Sequence, residues 1–245
     1  MRRTLKKLEI LGIPLSPLAS YDEAVDHVVE RVRGGQKTFC VALTPEKSQR
    51  AHRDDELKQI IQSAEIQICD GVGVAIAARV LHGRKVARVT GVELFTKLLI
   101  RAEAEDLAVF LLGASPESNA GACEEIGQMC PRLRIVGSQH GYFEDAATVV
   151  EAINASGADM LFVAMGSPRQ EKWIARHRDK LAVPFRMGVG GSFDVLSGAA
   201  TRAPRLFRRT GTEFLYRFVK EPKRWRRELY ALAFCARVFR AKVFG

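Results

Sequence analysis

The sequence predicts an α/β fold: a mainly parallel sheet with helices on both faces, followed by a basic helical appendage. Three observations carry this. Short apolar or β-branched runs alternate with amphipathic stretches at spacings too long for hairpins, which is the pattern of right-handed βαβ crossovers. Glycine recurs where those runs stop, at Gly71 and Gly73, Gly113, Gly166, and Gly190 with Gly191. The whole net charge of +10 falls in the last 45 residues, where 13 basic residues accompany 3 acidic ones.

Taken in order, residues 8–13 form a first strand. Ser20-Tyr-Asp-Glu23 is a capping box, and Ala24, Val25, Val28, Val29 and Val32 then share one helical face that ends at Gly34-Gly35. Residues 38–43 are a second strand. Thr44-Pro45-Glu46 turns into a polar helix running to Ser63, whose Asp54-Asp55-Glu56 run is a solvated surface. Residues 66–69 make a buried strand that stops on Asp70, and a helix over 74–81 follows. His82-Gly83-Arg84-Lys85 is an exposed turn, and Arg88-Val-Thr-Gly91 leads into a helix over 92–104. Strands over 108–112, 133–136, 160–165 and 184–189 follow, separated by helices ending near Cys130, Ala155 and Arg178. Trp173 is a core residue by its spacing.

The tail reads as helix. Pro222 suits the first turn, where its missing N–H costs nothing. Leu229, Leu232, Ala236, Phe239 and Val243 recur every three or four residues and so share a face, while Arg226, Arg237 and Arg240 lie on another. Such a helix suits an anionic membrane surface, with Trp225 as an interfacial anchor. Docking on the main domain is the competing arrangement. The division therefore falls at residues 1–198 and 199–245, and the exposed apolar tail face also suits a homo-oligomer.

Five scattered cysteines without a C-x-x-C pair point to free thiols in a reducing compartment. The basic start has no apolar core behind it, so no signal peptide is expected, and no run is long enough to span a bilayer. No zinc spacing and no phosphate-loop motif occurs. The glycine pattern Gly71-Val-Gly73 lacks the third small residue of a dinucleotide fingerprint, because Ile76 stands there. This counts against a nicotinamide oxidoreductase. The basic charge is confined to the tail, and no strand face carries spaced aromatics for base stacking, which counts against nucleic acid as the partner.

The residues fit glycosyl transfer better. Ligands of open α/β sheets bind outside the carboxyl ends of the strands, where Asp70 sits. A carboxylate there can take the proton of an acceptor hydroxyl. Capping of the following helix is the plainer role for an Asp before Gly. A leaving diphosphate needs N–H donors and positive charge, which the glycine turns and the tail arginines supply. Arg88 faces either the cleft or a surface acid. His140, in a glycine turn, either touches substrate or bonds its own turn.

The ordered series Thr44-Pro-Glu-Lys47, Asp70-Gly-Val-Gly73, Arg88-Val-Thr-Gly91, Gly137-Ser-Gln-His-Gly-Tyr-Phe143, Met165-Gly-Ser-Pro-Arg-Gln-Glu-Lys-Trp173, Arg202-Ala-Pro204, Tyr216-Arg217 and Glu221-Pro-Lys-Arg224 resembles the WecG/TagA/CpsF family of bacterial glycosyltransferases. The resemblance covers nearly the whole chain. It implies a Rossmann-like sheet and an inverting transfer, without cofactor or metal, from a UDP-sugar donor to a polyprenyl-diphosphate-linked sugar acceptor. It implies a peripheral enzyme at the cytoplasmic face of the bacterial inner membrane, building a surface polysaccharide or cell-wall polymer. Asp70 is then the base. Gln170 then lies in the pocket, and Arg217, Arg224 and Arg227 of the appendage meet the diphosphates; Thr44, Gly71, Gly73, Arg88, Gly113, His140 and Gly166 are the further candidate substrate-binding residues that the strand-end turns offer. The family usually carries Thr-x-Asn-Pro-Glu where this chain has Ala42-Leu-Thr44-Pro-Glu46. The change removes or shortens two side chains expected to face substrate, so a different donor sugar, such as glucose in place of N-acetylmannosamine or its uronic acid, or a weaker activity is expected.

Overall fold

A computed structural model describes the backbone of residues 6–200 and 225–244, and the side chains of that set except 225–228. The chain runs β1 (Leu8–Ile10), β2 (Ile13–Leu15), α1 (Tyr21–Arg33), β3 (Thr38–Leu43), α2 (Pro45–Ala51), α3 (Asp55–Ser63), β4 (Ile66–Cys69), α4 (Val72–His82), α5 (Gly91–Ala104), β5 (Ala108–Gly113), α6 (Pro116–Met129) and β6 (Arg134–Gln139). It continues through α7 (Ala146–Ala155), β7 (Met160–Ala164), α8 (Arg169–Arg176), β8 (Phe185–Gly188), α9 (Ser192–Leu196) and, at the C-terminus, α10 (Trp225–Phe244).

Six strands form one sheet in the order β4-β3-β8-β7-β5-β6, and every pairing in it is parallel. Parallel strands are covered on both faces, and two apolar clusters do this here. One packs α1, α5, α6 and α9 on the sheet around Phe95, Phe162, Phe185 and Phe193. The other packs α2, α3, α4, α7, α8 and α10 on the opposite face. The predicted α/β class is therefore observed, and β3 and β4 have the predicted ends.

Two local expectations are corrected. The first strand is a hairpin, β1 antiparallel to β2, because Leu11 and Gly12 both take left-handed backbone (φ 52° and 78°), as a two-residue turn between twisted strands requires. The single polar helix after Thr44 is two helices. Asp54 breaks it by accepting from Leu57 N–H at 3.0 Å and so capping α3. Asp54 also pairs with Lys172 at 2.8 Å, and Glu56 pairs with the same ammonium at 2.7 Å. The acidic run thus ties α3 to α8.

At the carboxyl end of β5, Gly113 has φ 117°, and a methyl group on it would lie 2.4 Å from the Ala164 carbonyl oxygen. Only glycine fits there. The close approach lets Ala114 N–H reach Ala164 C=O at 2.7 Å. Asn119 then ties the ends of β5 and β6 by donating to Gly113 C=O (3.0 Å) and Gln139 C=O (3.2 Å).

The appendage helix has two apolar rows. Phe234 and Val238 are buried against α2 and α4, and Arg50 and Arg53 lie 5.7 and 5.9 Å from the ring centre of Tyr230. A methyl on Gly73 of α4 would meet Phe234 Cδ1 at 4.0 Å. Burial, Arg237 of α10 and Lys58 together push the His52 imidazole below its ordinary range. The row predicted from spacing, Leu229, Leu232, Phe239 and Val243, is exposed. Among the described residues no helix is long and apolar enough to cross a membrane.

Candidate active site at the carboxyl edge of the sheet

Because all six strands run the same way, Thr44, Asp70, Gly113, His140, Gly166 and Gly190 follow strand ends on one edge. After β8 the chain leaves to the α9 face, whereas after β3 and β7, on either side, it leaves to the face of α2 and α8. In open α/β sheets such a divergence is where ligands bind.

Asp70 does not cap α4. The cap residue there is Gly71, with no side-chain hydrogen bond. Instead Asp70 Oδ2 accepts from Gly91 N–H at 3.0 Å, the first turn of α5, where the helix dipole favours a negative charge. A Cβ on Gly91 would lie 3.2 Å from Oδ2, 3.4 Å from Ala42 Cβ and 3.8 Å from Met187 Cε. The carboxylate therefore stands where β4, β3 and β8 end together. Arg88 belongs to the segment laid along β4, where Val89 N–H donates to Cys69 C=O at 2.9 Å. Burial pushes the Cys69 thiol up to about 12; Asp70 adds to the shift and Arg88 opposes it. Cys40 is likewise pushed up to about 12 by burial. Both thiols are thus inert at neutral pH, and all five cysteines are free.

Thr44 caps α2 through Oγ1, which accepts from Lys47 N–H at 3.0 Å. Gly71 and Gly73 both face Pro45: an added Cβ would sit 3.0 Å from Pro45 Cδ at Gly71 and 2.8 Å from Pro45 Cγ at Gly73. Their lack of side chains serves the close packing of α4 on α2. Gly166 is different. It takes φ 73° with nothing within 4 Å of an added Cβ.

Gln170 is buried. Its Oε1 accepts from Gly190 N–H at 2.9 Å, and its Nε2 donates to Glu171 Oε1 at 3.0 Å. Glu171 pairs with Lys47 at 2.7 Å. The sequence shows all four residues but not their meeting, which takes three strand ends to assemble.

The edge separates into two groups. Thr44, Asp70, Arg88, Gly91, Gln170 and Gly190 gather over β4, β3 and β8. His140 follows β6, five strands from β4, so at about 4.8 Å per strand it lies roughly 24 Å from Asp70. Its Nδ1 accepts from Tyr142 N–H at 3.2 Å, the turn bond foreseen as the alternative. Gly113 and Gly166 lie between these extremes. Arg217, Arg224 and the side chain of Arg227 lie outside the described residues, as do the Trp225 side chain and the start of the appendage.

Parallel α/β sheets of this kind bind ligands outside the carboxyl ends of their strands, and Asp70 is held there by the N-terminus of α5. Residues 8–245 match the Glycosyl transferase WecG/TagA/CpsF family, and the chain belongs to that family. It is 36% identical over 191 residues, 78% of this chain and 74% of the relative, to an N-acetylglucosaminyldiphosphoundecaprenol N-acetyl-beta-D-mannosaminyltransferase of Bacillus spizizenii.

Proposed function

We propose that this chain moves a sugar from a UDP-sugar to a polyprenyl-diphosphate-linked sugar, inverting the anomeric centre, with Asp70 as general base. The observation that carries this is the Asp70 carboxylate, fixed by Gly91 N–H at the carboxyl end of β4. The name of the Bacillus relative supports the acceptor class. In the reaction the acceptor hydroxyl oxygen bonds to the anomeric carbon as its proton passes to Asp70. The bond from that carbon to the diphosphate oxygen breaks, and UDP leaves with the electron pair. Arg88 and the appendage arginines Arg217, Arg224 and Arg227 neutralise the departing charge, so the protein itself supplies the role a divalent ion plays elsewhere. The enzyme works from the cytoplasmic face, held peripherally by the exposed row of α10 and by Arg237, Arg240 and Lys242, all exposed.

The deciding experiment offers a panel of UDP-sugars together with a short-chain polyprenyl-diphosphate N-acetylglucosamine. One donor is expected to release UDP only when acceptor is present, and NMR of the product shows the inverted anomer. Absence of UDP release from every donor overturns the reading.

A steric variant tests the placement of the base. Gly91→Ala puts a methyl 3.2 Å from Oδ2, so the carboxylate moves by a few tenths of an ångström. Because roughly 1 Å of misplacement costs as much as 10²-fold, kcat is expected to fall about tenfold. The thermal midpoint should hold, because alanine is a better helix former than glycine. An unchanged kcat would mean that the Gly91 contact does not set the position of the reacting group.

A further inference from the structure

We propose that Glu171, held by Lys47, is a positioning residue of this site: it sets the orientation of the Gln170 carboxamide, which in turn holds the Gly190 turn. Glu171 and Lys47 are among the most deeply buried charged side chains, at 1% and 6% exposure, with Nζ 2.7 Å from Oε1. The same Oε1 accepts from Gln170 Nε2 at 3.0 Å. An ionised carboxylate can only accept hydrogen bonds. It therefore requires the NH₂ end of the Gln170 amide on its own side and turns the carbonyl end towards Gly190 N–H, 2.9 Å away. Shape alone does not choose between the two ends of an amide; an acceptor oxygen on the Glu171 side, opposite the Gly190 N–H donor, does.

The elements joined in this way are the ones that diverge at the carboxyl edge of the sheet. Lys47 rides on α2 after β3, Gln170 and Glu171 on α8 after β7, and Gly190 follows β8. The network spans β8 from its two neighbours. Gly188, the last residue of β8, makes room for it, because a Cβ there would lie 2.4 Å from Gln170 Nε2. A buried ion pair is a weak source of stability, and apolar replacements of similar volume are often neutral or stabilising. Orientation of the Gly190 turn is the function that accounts for it. The second carboxylate oxygen, Oε2, is buried and meets no hydrogen-bond donor among the described residues, so the geometry is centred on Oε1. The link to turnover rests on the function proposed above; the hold on Gly190 does not.

Two charge-free double variants separate orientation from charge and from stability. Lys47→Met with Glu171→Leu removes the acceptor for Gln170. Lys47→Met with Glu171→Gln keeps an acceptor oxygen at the same place. Amide hydrogen exchange at Gly190, read by NMR without substrate, should accelerate about tenfold or more in the leucine variant and stay near the parent in the glutamine variant. In the leucine variant kcat for UDP-sugar turnover should fall about tenfold with the thermal midpoint held or raised, and the glutamine variant should recover it. Gln170→Leu frees the Gly190 amide by a separate route, and the same acceleration is expected there. Gly190 exchange in the leucine variant equal to that of the parent overturns the proposal, whatever Gln170→Leu does. A parent that turns over no UDP-sugar while Gly190 exchange responds as described counts against the proposed function and leaves the positioning role standing.

Discussion

Asp70→Asn is expected to lower turnover of the UDP-sugar by about 10²- to 10⁴-fold, the usual worth of a positioned general base. The fold should survive. Asparagine has nearly the same shape, and its carbonyl oxygen can still accept from Gly91 N–H, the bond Oδ2 makes at 3.0 Å. What disappears is the ability to hold the acceptor proton as the new glycosidic bond forms. The loss should appear in kcat, with KM for the donor close to the parent value, because the interaction is spent in the transition state. Asp70→Ala separates the two duties of this side chain. It loses the proton acceptor and the first-turn bond of α5 together, and should add about 1 kcal/mol of destabilisation. Parent-level turnover in a folded Asp70→Asn protein would remove Asp70 as the base and leave it a structural link between β4 and α5.

How much of this was legible in the sequence follows from the range of the interactions concerned. The sheet strands are local objects, apolar runs closed by glycine or a polar turn, and five of the six stand close to where the sequence places them; β6 runs on through Gly137 to Gln139, past the expected end at 136. The hairpin over β1 and β2 was missed because it turns on Leu11 with left-handed backbone, a conformation that a leucine does not advertise. The break between α2 and α3 was missed because no Gly or Pro marks it. Asp70 was visible as a carboxylate at a strand end, but its partner Gly91 lies 21 residues on, in a segment that reads simply as the start of a helix. Gly71 and Gly73 carry the opposite lesson. Their pattern suggests a backbone opened to a ligand; what it does not reveal is that the ring of Pro45 lies where a side chain on either would go. Pairwise contact across strands is the part that spacing along one chain does not encode.

The tail shows a limit of spacing. The sequence marks one apolar row, with a membrane and docking on the domain as competing fates; the structure docks a second row, Phe234 and Val238, and leaves the marked row exposed. The exposed row is proposed to enter the bilayer, and substitution there should have the second large effect. Leu232→Glu with Phe239→Glu changes two side chains that are each 67% exposed, so the thermal midpoint should stay within a few degrees. Burying one such side chain in an apolar phase is worth about 1.5–3 kcal/mol. Losing two should weaken binding to phosphatidylglycerol-containing vesicles by roughly 10²-fold or more, even after discounting for the part of each ring or chain that stays in the interface. Added salt should weaken the parent as well, because Arg237, Arg240 and Lys242 act through a screened surface potential. Phe234→Ala gives the opposite signature. This ring is 1% exposed, and its truncation should cost about 3–5 kcal/mol of packing. Its effect is expected as earlier proteolysis of α10 and a lower thermal midpoint. Equal vesicle binding by the parent and the double glutamate variant would take the exposed row out of the membrane and leave α10 as a cover for α2 and α4.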